Sequence, residues 1–341
     1  MKNKPFGQAV FTLFGTIVGT GILVLPYVIY QVGFWYGAAC LLLIGLTNWL
    51  LNLTYTKVIL ATKGDHQLSG YAKIYLGKWG WILGGLFILI NVNGALLAYL
   101  VGLGKFLHIL VPMIPSFYFG IFFFLLAFSV VFRGIKVVGK LNEILIGGLF
   151  LLLLIFFIWG GARINYGKFN FLSQGGFINA IAIIFFAYAG FTVIPEVEQI
   201  LRSQPKKLVS AVTWGSLLPI ILYFVFVIVT IGVLGNRVTP DFVSGIKTVS
   251  KPIFYVAILL GILAIVTSYF SLAFSLKEFW QRDLKFSKLT SISLTFLPLF
   301  FLYIFNQKGF LEILAITGGI STVLMTIIIF GCWRQVKKGN S

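Results

Sequence analysis

Apolar runs of 18 to 28 residues follow one another along the whole chain, parted by short stretches where lysine, arginine, proline and amides gather. Ten such runs can be drawn, over about 9–30, 34–58, 81–108, 116–133, 141–160, 176–200, 208–234, 252–276, 289–306 and 310–333. As helices rising about 1.5 Å per residue, each approaches or exceeds the ~30 Å hydrocarbon layer of a bilayer. The longest connection, 59–80, contains KGDHQLSGYAKIYLGK and has room for a small interfacial helix. The pattern predicts an all-α polytopic membrane protein with ten transmembrane helices.

Two runs carry an interruption where a helix is weakest. GTIVGTGILVLPY, residues 15–27, places three glycines inside the first run and ends it near a proline. Glycine costs a helix interior about 0.5–1 kcal/mol relative to alanine, and proline removes a backbone donor. The segment GILVLP, Gly21 to Pro26, returns as GFTVIP, Gly190 to Pro195, at an offset of 169 residues, almost half the chain. With an odd number of spans in each half, the two copies point in opposite directions. The chain therefore reads as two five-helix repeats, 1–165 and 170–341, of inverted topology, with helices 1 and 6 broken. Paired glycine- and proline-interrupted spans in corresponding places mark the substrate site of an inverted-repeat transporter. A GxxxG packing face at Gly15 and Gly19 is the competing reading of the first run.

Charge sets the direction. With the N-terminus in the cytoplasm, nineteen of the 26 basic residues fall inside: Lys2, Lys4, Lys57, Lys63, Lys73, Lys78, Arg133, Lys136, Lys140, Arg202, Lys206, Lys207, Lys277, Arg282, Lys285, Lys288, Arg334, Lys337 and Lys338. Six fall outside, Arg163, Lys168, Arg237, Lys247, Lys251 and Lys308, and Lys105 lies within span three. This is the positive-inside asymmetry, and it puts both termini in the cytoplasm. It also accounts for the net charge of +18 without nucleic acid. With 59% apolar and 10% charged residues and a mean hydropathy of +1.02, no sizeable soluble domain fits. Cys40 and Cys332 lie at opposite ends with no metal-ligand spacing. The first run is too long for a signal h-region and reads as a retained span.

GTIVGTGILVLPY resembles the first-helix signature of the amino acid–polyamine–organocation superfamily, transporters of the LeuT-type fold, and FFAYAGFTVIPEVEQILRSQPKK resembles their sixth helix and following loop. Within it the chain is most similar to amino acid permeases, the aromatic ones included, because GSLLPIILYFVFVIVTIGVLG resembles their seventh helix. The resemblance covers roughly residues 6 to 334 and implies a minimal 5+5 core.

If helix 1 unwinds at Gly19-Thr20-Gly21, backbone N–H groups there lose their acceptors at the positive end of the outer half-helix, a nest for a carboxylate. Thr20 adds a hydroxyl or caps that half-helix. The break in helix 6 leaves carbonyls around Phe186, Tyr188, Ala189 and Gly190, which attract a cation such as an ammonium. A ligand with both groups is an α-amino acid. The resemblance places an aromatic gate over it, Phe186 or Tyr188. Asn91 and Asn93 in span three are amides that need partners in lipid, as substrate contacts or as helix–helix glue.

In sodium-coupled members an alanine carbonyl and a Thr-Ser pair of span eight face helix 1 and bind the ion. Ala264, Thr267 and Ser268 stand at that spacing, with the Gly15 and Val18 carbonyls as partners. The other reading is that the hydroxyls bond back to their own helix. Proton-coupled relatives carry a lysine on helix 5, absent here after Lys140. A proton route would then use Glu196, Glu198 or Glu143. Glu196 and Glu198 equally fit an inner gate with Arg202, Lys206 and Lys207.

The function these features imply is secondary transport of a neutral or aromatic amino acid across the cell membrane, coupled to sodium or proton. Exchange, uniport and transporter-like sensing are the alternatives. The partners are the amino acid and the lipid bilayer, the chain is expected to be monomeric, and no cofactor beyond the ion is expected. An enzyme is excluded for want of a nucleophile–base or metal cluster, since His66 and His108 lie apart.

Overall fold

A computed structural model describes residues 4–169, 175–306 and 308–339; Lys2 of the charge count lies outside them, as do residues 170–174 at the start of the second repeat. Among the described residues there is no strand, and thirteen α-helices follow in chain order. These are α1 (Lys4–Ile17), α2 (Gly21–Gln31), α3 (Phe34–Ala61), α4 (Leu68–Leu110), α5 (Ser116–Arg133), α6 (Ile135–Gly161), α7 (Phe177–Ala187), α8 (Ile194–Ile200), α9 (Leu208–Leu234), α10 (Val243–Lys247), α11 (Lys251–Arg282), α12 (Lys288–Ile304) and α13 (Phe310–Gly339).

Each apolar run falls on one helix or on a consecutive pair. The first is α1 and α2, which meet at 48°. The sixth is α7, a 3-10 turn at Phe191–Val193, and α8. Eight stretches among the described residues are long and apolar enough to cross a membrane, nine with the bent α1–α2 pair, and α12 is apolar but only 17 residues long. Apolar side chains such as Ile158 and Leu125 are exposed on the flanks, 69% and 58%, where lipid is the solvent that tolerates them.

The 59–80 connection is shorter than the pattern suggests, because α4 starts at Leu68 and runs for 43 residues. Its first turns, Leu68–Leu76, are set apart by Gly77, whose φ of 68° and ψ of −151° leave the helical region and suit only glycine. The Asp283 carboxylate caps this start, Oδ1 accepting from the Gln67 N–H at 2.9 Å and Oδ2 from the Gly70 N–H at 2.7 Å. Burial pushes the Asp283 carboxyl up to about 7, while those two N–H groups pull it down.

The broken pairs sit in the middle. α1 packs on α9, α8 and α11, and α2 packs on α7, α9 and α3. Leu13, Phe14 and Ile17 of α1, Tyr223 and Phe226 of α9, and Ala264 and Ile265 of α11 are all buried. The packing of α13 on α4 and α7, and of α6 on α11, holds this centre from outside.

Candidate functional site

The first break reorganises three residues. The Val18 N–H still reaches the Phe14 carbonyl at 2.8 Å, but the Gly19 N–H turns back to the Ile17 carbonyl at 2.8 Å. Gly19 therefore does not offer the free donor expected of it: a tight local turn uses the N–H. The N–H groups of Thr20 and Gly21 take no part in the bonds that reorganise the break, and they stand at the N-terminus of α2. Thr20 makes no side-chain cap. Its buried hydroxyl lies instead beside Tyr99 and has no hydrogen bond of regular geometry.

Glycine is required at both positions by what presses on them. A Cβ on Gly19 would lie 2.7 Å from both the Ser268 and the Tyr99 hydroxyl oxygens. A Cβ on Gly21 would lie 2.5 Å from Ala187 Cβ and 2.7 Å from Ala187 Cα, so the two breaks touch backbone to backbone.

In the second break, the Tyr188 N–H bonds to the Ile184 carbonyl at 3.3 Å and the Ala189 N–H to the Phe186 carbonyl at 3.0 Å. The Val193 N–H closes the 3-10 turn on the Gly190 carbonyl at 3.2 Å. A residue missing from the sequence reading joins the two breaks. The hydroxyl of Tyr223, fully buried on α9, lies 2.6 Å from the Ile17 carbonyl and 3.0 Å from the Ala187 carbonyl. One O–H has a single proton, so these two carbonyls compete for it. The only sequence signal was a lone tyrosine midway along an apolar span.

Phe186 and Tyr188 separate here. Phe186 lines a cavity of about 10 Å³ together with Thr16, Gly21, Asn91, Tyr99 and Ala189. Tyr188 turns toward Gly45 of α3 and packs against Tyr223, the ring centres 5.1 Å apart and the planes tilted by 48°. Asn91 is 3% exposed, and its Nδ2 is without a partner. Asn93 bonds back to the Leu89 carbonyl at 2.9 Å. The central cavity has room for about one water. Toward α2, α7 and the start of α13 a cavity of about 570 Å³ opens beside Tyr27, Gln31, Asn179 and Glu312.

Around the proposed ion residues, Ser268 Oγ donates to the Gly15 carbonyl at 2.8 Å and lies 3.2 Å from the Thr16 carbonyl. Thr267 Oγ1 instead bonds within its own helix, to the Leu263 and Ala264 carbonyls at 2.9 and 3.1 Å. Val18 is fully buried at the break. Span five meets Gly15 through Ile146, whose Cδ1 would lie 2.5 Å from an added Cβ. Ser268 and Gly15 thus form one oxygen pair across the helices, Thr267 and Ala264 form a second within α11, and the apolar Ile146 stands against Gly15.

Of the carboxylates, Glu196 is buried, with Oε1 accepting from Gln67 Nε2 at 2.6 Å. Glu198 is half-buried and Glu143 exposed. Arg202 pairs with Asp65 at 2.5 Å, and neither it nor Lys206 forms an ion pair with Glu196 or Glu198 among the described residues.

The tryptophan/tyrosine permease family model matches residues 1–337. Glutamine transporter 2 of Aliivibrio fischeri is 27% identical over 88% of this chain and 81% of its own length. Tyrosine-specific transport system 1 of Haemophilus influenzae is 26% identical over 93% and 84%. Among solved structures, Mhp1, a nucleobase-cation-symport-1 family transporter in a closed conformation with bromovinylhydantoin bound, superposes with a TM-score of 0.67 at 14% identity, over 95% of this chain and 77% of that one. The likeness in fold is that of a LeuT-type transporter. The relatives named here are transporters and not enzymes.

Proposed function

The chain belongs to the tryptophan/tyrosine permease family, and on that premise we propose that it carries a neutral or aromatic α-amino acid across the plasma or inner membrane by alternating access. Ten spans serve as two inverted five-helix repeats, 1–165 and 170–341, with α12 as the ninth span and both termini in the cytoplasm. The protein works as a monomer. One observation carries the reading: the Tyr223 hydroxyl holds the Ile17 and Ala187 carbonyls beside the unengaged Thr20 and Gly21 N–H groups. Ile17 and Ala187, the acceptors for an ammonium in this reading, and Gly21, a donor for a carboxylate, line one small cavity. The substrate ammonium replaces the tyrosine O–H, its carboxylate takes the nest at the start of α2, and Phe186 closes over its side chain. A cavity of about 10 Å³ requires the breaks to part before substrate enters.

Sodium is the coupling ion in this reading. The Gly15, Val18 and Ala264 carbonyls with the Thr267 and Ser268 hydroxyls form a hard-cation donor set, and Ile146 supplies no cation to replace it. Counterflow of labelled tryptophan, tyrosine and glutamine in proteoliposomes, with sodium or choline, tests the proposal. Exchange of one of them, faster in sodium, is expected. Binding without exchange would indicate a sensor, and exchange indifferent to sodium would remove the ion.

A further inference from the structure

The inner side of the molecule holds a polar cavity that neither the substrate nor the sodium reading uses. It measures about 30 Å³ and is lined by Gln8 and Thr12 of α1, Asn142 of α6, Glu196 of α8 and Ser271 of α11, among others. That is room for one or two waters and nothing larger. Its two fully covered polar atoms without partners are both acceptors, Glu196 Oε2 and Asn142 Oδ1. Asn142 is held in that sense: Ser271 Oγ donates to the Thr267 carbonyl at 3.3 Å and receives the Asn142 amide N–H at 2.9 Å, which leaves Oδ1 without a donor. Glu196 is fixed by Gln67, whose amide takes Oε1.

Neither of these two acceptors on the cavity lining receives a donor. An unpaired, ionised oxygen buried there is strongly disfavoured. We propose that Glu196 binds a proton in this cavity, and that the proton latches the inner side of the transporter shut. As a carboxylic acid, Glu196 donates from Oε2 toward Asn142 Oδ1, directly or through water, and ties α8 to α6 while Gln67 ties it to the start of α4. When the inner side opens, water solvates the carboxylate and the proton leaves to the cytoplasm. The groups facing Glu196 allow this. Arg282 of α11 pairs with Glu278 through Nη2, as Lys277 does at 2.8 Å, and the buried Nη1 of Arg282 has no hydrogen-bond partner. Tyr55 of α3 and Asp283 beyond α11 add a neutral hydroxyl and a carboxyl bound to backbone N–H groups. The cavity-lining side chains of α1 and α6 carry no charge.

The inference rests on the carrier reading and adds a proton to the sodium proposed above, at a different place. It is tested without substrate, so that the two stand or fall separately. In a Cys40→Ala, Cys332→Ala background, Thr12→Cys is labelled with a membrane-impermeant maleimide from the face that carries Lys206 and Lys207. Rates are measured between about pH 5.5 and 8.5, with and without Glu196→Gln. The glutamine supplies the missing donor permanently and preserves the Gln67 contact, so the variant folds and stays latched. Dividing by its rates removes the intrinsic pH dependence of the thiol. The ratio should rise about tenfold or more with pH, approaching tenfold per unit where one proton controls opening. A flat ratio would overturn the latch, as would a Glu196→Gln protein labelled faster than its parent at low pH. Exchange assays on the same proteins report independently on the carrier.

Discussion

The two breaks carry the same motif and use it differently. In the first, Gly21 opens α2 and Pro26 sits five residues inside it, so the chain bends by 48° and leaves backbone donors unengaged at a helix N-terminus. In the second, Gly190 precedes a 3-10 turn and Pro195 falls in the first turn of α8, where its missing N–H costs nothing. Bonds shift there too to i+3 spacing, the Gly190, Phe191 and Thr192 N–H groups take no backbone acceptor, and yet the segment stays one apolar stretch. A repeated sequence therefore marks where a helix is weak, while the surroundings decide what the weakness becomes. Ser268, Tyr99 and Ala187 press on the glycines of the first break, whereas side chains of Ile17 and Leu13 press on Gly190.

That asymmetry predicts unequal costs for matched substitutions. Gly21→Ala pushes against the Ala187 backbone, which cannot yield, and should abolish exchange while folded protein persists on size exclusion. Gly190→Ala meets only side chains, so it should retain exchange at a lower stability, by about 1–3 kcal/mol. Equal loss from both would remove the distinction.

A smaller effect is expected at the bridge between the breaks. Tyr223→Phe takes the hydroxyl from the Ile17 and Ala187 carbonyls and should cost about 1–3 kcal/mol of thermal stability. Because an ammonium can satisfy the same carbonyls, added amino acid should raise the melting temperature of Tyr223→Phe more than that of the parent. An unchanged ligand shift would place the ammonium elsewhere.

The smallest difference lies in the neighbouring hydroxyls. Ser268 reaches across to α1 and Thr267 stays on its own helix. Ser268→Ala should weaken sodium and substrate binding by the same factor, and Thr267→Val should weaken them less, as measured by substrate titrations in sodium and in choline. A larger effect at Thr267 would mean that its hydroxyl turns to the ion when sodium binds.

Much of this was legible in the sequence because lipid removes options. Every run long enough to span had to satisfy its own backbone, so apolar length located the helices, and glycine with proline located the breaks. The early start of α4 at Leu68 was hidden, since a cap contributed by Asp283, more than 200 residues away, cannot be seen locally. Tyr223 and Asn142 escaped for the same reason: an isolated polar residue in an apolar run shows its purpose only when its partners, Ile17 and Ala187 or Ser271, arrive from other spans. The turn that ties the Gly19 N–H back to Ile17, and so competes with a ligand for it, is likewise something that residue type does not reveal.

If the breaks hold opposite ends of one amino acid, neither end alone can replace it. Thermal-shift titrations of the purified protein should compare tryptophan with tryptamine, which lacks the carboxylate, and with indole-3-propionate, which lacks the ammonium. Tyrosine or glutamine and their matched analogues serve if tryptophan is not the ligand. Stabilisation by the amino acid and by neither analogue is the predicted result; retained affinity for the amine would show that the N–H groups at Thr20 and Gly21 do not bind a carboxylate, and would contradict the site.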